Sequence, residues 1–212
     1  MSFQKAVIDL YSNARPQHQE LDIHFANYLE GLKSEGQLVE SYKPQSHDLQ
    51  TMFGEFLHKE TLPQHSALKV ALLELENKIR WYDFGDLDKR FPDYSRHITF
   101  AQILGPVGGF GDAMYEHPSI NAGIFIQAPG YYYAPHFHDS VELYHVLHGT
   151  AYWKRGDEDW MPHKPGEFIL HDREQVHAMR TGDDPIIALW AWYGGPNAPV
   201  LFTETDFHGN PQ

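Results

Sequence analysis

The sequence contains no cysteine. That excludes a disulfide framework, thiolate ligation and a cysteine nucleophile, and it suits a reducing or an oxidising compartment equally. Basic residues are scarce, 16 Lys and Arg against 29 Asp and Glu, for a formal charge of −13. No Lys/Arg cluster stands ready to meet phosphates, so no nucleic-acid partner is expected, and an anionic membrane surface is disfavoured. No apolar run approaches the ~18 residues of a membrane span. Asp9 interrupts the only N-terminal apolar stretch, so no secretory signal is read and a cytoplasmic protein is the default expectation. Gly108, Gly109 and Gly111 suggest a mobile loop, but no Gly-Lys-Ser/Thr follows, so it is not a phosphate loop. Internal repeats and low-complexity tracts are lacking too.

Histidine and aromatic residues are what the chain has in excess: 15 His, 5 Trp, 12 Tyr and 13 Phe in 212 residues. Seven of the histidines fall between His136 and His177. Length and a hydrophobic content of 42% suit one large domain, or one domain with an appendage.

The first eighty-odd residues read as helical. Leu21, His24, Phe25, Tyr28, Leu29 and Leu32 recur at helical spacing, with Gly36 as a nearby stop. Leu49, Met52, Phe53 and Phe56 repeat the stripe behind Ser46 or Asp48 as caps. Leu68, Leu72, Leu75 and Ile79 repeat it after Pro63, and a weaker helix covers Phe3 to Tyr11. Such stripes need a partner surface, either one another or a following sheet. His18, His24, His47, His58 and His65 lack ligand spacing and read as surface or packing residues.

From Trp81 a polar connection leads into short β-rich segments divided by Gly, Pro and Asp. They are ITFAQIL, NAGIFIQA, ELYHVLH, AYWKR, EFIL, QVHAMR and IIALWAWY. Short strands at near-regular intervals mean an all-β sandwich or barrel. The expectation is a mainly β protein, with residues 1–85 a helical region packed on a barrel formed by residues 86–212.

Inside that barrel lies Gly130–Gly149, with the pattern G-x5-H-x-H-x3-E-x6-G. His136 and His138 share a face on an extended strand, and Glu142 follows after a short polar break. Two imidazoles and a carboxylate so close in sequence suit a divalent transition metal. This pattern matches the first cupin motif at Gly130, His136, His138, Glu142 and Gly149, which implies a double-stranded β-helix, or jelly-roll barrel. The second cupin motif is matched at Gly166 and His177. Asp172 and Glu174 stand in place of its internal proline and glycine, and Thr181 in place of its closing asparagine. On spacing, His177 is a better ligand candidate than His171. His145 should face away from the site and His148 should be a wall residue or a neighbour of the ligands, while His163 reads as an exposed turn residue. One divalent metal is expected, Fe2+, Zn2+, Mn2+, Co2+ or Ni2+, with Cu also compatible with such ligands.

Tyr144 lies two residues after Glu142, on the same strand face. A dication nearby would stabilise its phenolate and make it a candidate general base, against the competing reading of an interior packing tyrosine. Tyr131, Tyr132 and Tyr133 precede the His-x-His, and Trp190, Trp192 and Tyr193 close the last clear strand. Such rings fill barrel cores, and they also suit a substrate with a cationic sulfonium or ammonium end.

The run YYYAPHFHDSVELY, with the late histidine and WAWY, resembles the cupin-type dimethylsulfoniopropionate (DMSP) lyases of marine bacteria. The resemblance covers the C-terminal half, and the helical N-terminal region is similar to that of the longer members. It implies cleavage of a small zwitterionic sulfonium substrate to dimethyl sulfide and acrylate by β-elimination. By position it implies His138, Glu142 and His177 as metal ligands, with His136 a further ligand or close neighbour. Tyr144 would be the metal-associated base. Tyr133 and Trp192 would line the substrate pocket, with Tyr131 and Trp190 as further walls. A homodimer is compatible. The rival expectations are a metal-dependent cupin dioxygenase and a non-enzymatic ligand-binding cupin.

Overall fold

A computed structural model describes residues 1–59, 66–108 and 112–207. Pro63, His65, Gly109 and Gly111 lie outside the described residues.

Helix α1 (Phe3–Ala14) starts where the Ser2 hydroxyl accepts the Lys5 N–H at 3.3 Å, and buries Phe3, Val7, Leu10 and Tyr11 along one stripe. Helices α2 (Asp22–Gly31), α3 (Gln50–Lys59) and α4 (Ser66–Leu75) follow. Ile79, read as part of the last helical stripe, lies beyond the end of α4 but is buried with it. The polar connection hides a 3-10 turn at Gly85–Lys89 and a short helix α5 (Tyr94–His97). Among the described residues no helix is long and apolar enough to cross a membrane.

Among the described residues twelve strands form two sheets. They are β1 (Gln37–Leu38), β2 (Ile98–Gly105), β3 (Tyr115–Glu116), β4 (Ile120–Gln127), β5 (Tyr132–Phe137), β6 (Val141–His148), β7 (Ala151–Arg155), β8 (Met161–His163), β9 (Phe168–His171), β10 (His177–Thr181), β11 (Ile186–Tyr193) and β12 (Leu201–Phe202). One sheet runs β1-β3-β2-β4-β11-β6-β9 and the other β12-β5-β10-β7-β8. This is the expected cupin barrel preceded by helices.

The central strands β2 and β4 are buried along their whole length, and β11 at every residue but its last, Tyr193. Alternation along β11 explains why. Ile187, Leu189 and Ala191 pack with α1–α4 into one core, whereas Ile186, Ala188, Trp190 and Trp192 point into the barrel and a second core. The helices therefore cover the rear of the seven-stranded sheet. Tyr28 of α2 ties them to it, its hydroxyl reaching the carbonyls of Ala191 at 2.5 Å and Val141 at 3.1 Å.

Among the described residues three bulges interrupt the strands, one of them at Ile103 in β2 and two nearer the histidine motif. In β5 the register against β10 shifts between Tyr133 and His136, at Ala134 and Pro135, where a strand can tolerate a proline. In β6 the extra residue Leu147 shifts the register against β11. That shift corrects the expectation for His148, whose ring lies 6.0 Å from that of Phe56 on α3. His163 is likewise corrected: it sits half-buried in β8, with Nδ1 3.0 Å from Glu167. Gly149, the motif's closing glycine, has φ +77°, and a Cβ there would lie 1.8 Å from the Pro185 carbonyl oxygen.

Candidate metal centre

Strands of both sheets contribute to the site. β10 supplies His177 and β6 supplies Glu142 and Tyr144, while His138 follows directly on β5. One ligand atom each from His138, Glu142 and His177 lies within 4.8 Å of the others, and all three side chains are buried. His136 stands beside this group. Its ring stacks on Tyr133 at 4.0 Å and meets His177 edge-on at 4.2 Å.

Backbone carbonyls set the tautomers. The Nδ1–H groups of His136, His138 and His177 donate to Ala134, Ser140 and Gln175 carbonyls at 2.8, 3.2 and 2.8 Å. Each imidazole so held keeps its lone pair on Nε2. His138 Nε2 then lies 3.2 Å and His177 Nε2 3.4 Å from the same Glu142 oxygen, Oε2. The His177 Nε2 is buried and makes no hydrogen bond. Electron-rich atoms converging on one point, each oriented from behind, are the donor set a divalent cation fills. The residues present fit the metal.

Charge follows geometry. Burial alone would raise the Glu142 pKa, but the imidazoles around it, His138 foremost and then His171 and His177, hold the carboxylate well below its usual value. Burial presses His136 and His177 downward, so both stay neutral. Burial raises Tyr144 well above the ordinary phenol value, and the Glu142 charge adds to that.

Glu142 has two further partners that sequence spacing does not reveal. Trp192 is paired with it across β11 and donates its indole N–H to Oε1 at 2.6 Å. His171 is paired with it across β9, its Nδ1 lying 3.0 Å from Oε2. The Trp192 ring also tilts over His138 at 4.3 Å.

Tyr133 and Tyr144 are both fully buried in the barrel core with Trp190. Tyr131 is further out, half-buried and stacked on His97 at 4.5 Å. Tyr94, hidden in what reads as a polar connection, meets the Tyr133 ring edge-on at 5.8 Å. Behind Tyr133 and Tyr94 lies an apolar cavity of about 530 Å³, lined also by Phe84, Leu87, Phe100 and Phe202.

The sequence profile of the DMSP lyase family matches residues 27–188. The dimethylsulfoniopropionate lyase DddQ of Ruegeria pomeroyi is 34% identical over 142 residues, which span 66% of this chain and 68% of that protein. A crystal structure of DMSP lyase DddQ from Ruegeria pomeroyi DSS-3 superposes with a TM-score of 0.69 at 20% identity, covering 92% of this chain and 96% of that one. A structure from work on the DMSP lyases RdDddP and RnDddQII superposes with a TM-score of 0.66 at 21% identity, covering 92% and 95%. At these identities the two superpositions establish the shared fold.

Proposed function

The chain belongs to the dimethylsulfoniopropionate lyase family, and on that premise we propose that it cleaves DMSP by metal-dependent β-elimination with Tyr144 as the base. The observation that carries this reading is the buried His138–Glu142–His177 group with the Tyr144 phenol on the same strand face as Glu142.

A divalent transition metal held by His138, Glu142 and His177, with His136 alongside, would draw charge from the substrate carboxylate and favour the Tyr144 phenolate. Without such a cation, burial and Glu142 keep Tyr144 protonated. The proton to be removed lies α to a carboxylate and is weakly acidic, so base and charge stabilisation must act together. The Tyr144 oxygen takes that proton, the C–H electron pair forms the carbon–carbon double bond of acrylate, and the C–S bond breaks with its electron pair on sulfur. Dimethyl sulfide departs neutral and needs no general acid. The faces of Tyr133 and Trp190 suit the sulfonium end, with Tyr131 nearer the rim and Trp192 at the carboxylate end. Trp192 also holds Glu142 in place through its indole N–H.

The test is direct. Purified protein reconstituted with Fe2+, Mn2+, Co2+, Ni2+ or Zn2+ should release dimethyl sulfide from DMSP, read by gas chromatography. Tyr144→Phe should lose at least ~100-fold in kcat while keeping its metal content. Release by no metal form would overturn the lyase reading, and substantial turnover by Tyr144→Phe would overturn the base assignment.

A further inference from the structure

Glu142 sits in the middle of three paired strands. Its direct neighbours on the same face are His171 on β9 and Trp192 on β11. Directly opposed residues in a sheet bring their side chains within contact distance. Here the two neighbours divide the carboxylate between them. Trp192 Nε1 donates to Oε1 at 2.6 Å, and His171 Nδ1 lies 3.0 Å from Oε2. His138 and His177 also approach Oε2, but their Nδ1–H groups are committed to carbonyls and their Nε2 lone pairs are what a metal would use. Once those lone pairs turn to a cation, His171 is the donor left on Oε2.

We propose that His171 is a positioning residue for the metal centre, its Nδ1–H fixing the carboxylate of Glu142 so that one oxygen is presented to the cation. This rests on the reading that His138, Glu142 and His177 hold the metal. Two further observations support it. His171 is fully buried and its ring lies flat on His177 at 3.8 Å, with an interplanar angle of 16°, so the imidazole cannot turn away. Its other nitrogen, Nε2, is buried without a hydrogen-bond partner. A buried unsatisfied acceptor costs stability, so an apolar side chain of this size would serve packing better. The bond from Nδ1 is what the histidine adds. His171 also lies outside the group whose ligand atoms close within 4.8 Å, which argues against its being a ligand itself.

Three substitutions separate the roles. Asparagine places an N–H where Nδ1 stands, glutamine places one where Nε2 stands, and leucine offers neither. Co2+ affinity would be measured on each purified full chain by competition with a chromophoric chelator, with thermal unfolding of the metal-free forms alongside. His171→Leu should bind Co2+ about 10–100-fold more weakly than the parent, the range typical for lost partners of metal ligands. His171→Asn should recover to within about threefold, and His171→Gln should not. Equal binding by His171→Leu and the parent would overturn the proposal. So would rescue by glutamine in place of asparagine, which would make Nε2 the working atom. A loss that merely tracks the melting temperature, equal in all three variants, would reduce His171 to packing and overturn it too. No Co2+ binding by the parent would overturn the metal reading itself, and this proposal with it.

Discussion

Glu174 occupies the left-handed region, with φ 59°, at the position where the second cupin motif carries a glycine. Its side chain is exposed, while its N–H donates to the His138 carbonyl at 2.8 Å, so the turn steers a ligand of the proposed metal. Strain at a non-glycine residue there costs about 1 kcal/mol. Glu174→Gly should therefore raise the melting temperature by about 2–4 °C, measured by calorimetry. The unusual residue was plain in the sequence, but why it is tolerated required the backbone angle. The grouping of His138, Glu142 and His177 was legible, the first two from short spacing along an extended chain and His177 from the second motif. The partners of Glu142 were not. His171 and Trp192 lie 29 and 50 residues away, and only strand register brings them to the carboxylate. Tyr94 escaped for another reason: a lone tyrosine among aspartates and prolines gives no periodic signal.

At the scale of elements, the long strands and the helical stripes were readable, since their apolar periods are strong. The two-residue strands β1, β3 and β12 were not, because a pair of residues has no period. Strand β5 was hidden by Pro135, which reads as a breaker but sits at a bulge. The bulge at Leu147 shows the same limit, since it redirects His148 with no mark in the residue pattern. Hydrogen bonds from α2 join the helical layer to the strands that carry the site, His24 and Asn27 meeting Tyr193 and Tyr28 reaching further in. The Tyr28 hydroxyl reaches carbonyls on both β6 and β11, beside the residues that pair Glu142 with Trp192. Burial pushes its pKa well above the usual phenol value, so it remains a donor at all working pH. Tyr28→Phe leaves two buried carbonyls short of that donor and should cost about 1–3 kcal/mol, read by chemical denaturation.

For the molecule as a whole, burial of neutral imidazoles couples stability to pH. In the metal-free protein the His171 pKa falls to about 3, chiefly through burial and then the neighbouring His177, and His136 and His177 are also lowered by burial. Unfolded histidines take up protons near pH ~6.5, whereas these folded ones refuse them. Their contribution is present above that value and is lost as pH falls below it, by at most ~1.4 kcal/mol per pH unit for each imidazole. Glu142, also lowered, adds a loss of the same sign at more acid pH. Thermal unfolding of the metal-free chain should thus move to lower temperature between pH 7 and pH 5, and His171→Asn should flatten that slope. The two cores carry a historical consequence as well. Ala101, Ile103, Ala122, Ile124, Ile126, Leu143, Leu147, Ile187, Leu189 and Ala191 face the helices, so the rear of the sheet is mostly apolar. A descendant that shed its helices would have to repaint that whole face with polar side chains at once. No gradual route leads there, so the helical layer and the barrel should be inherited together.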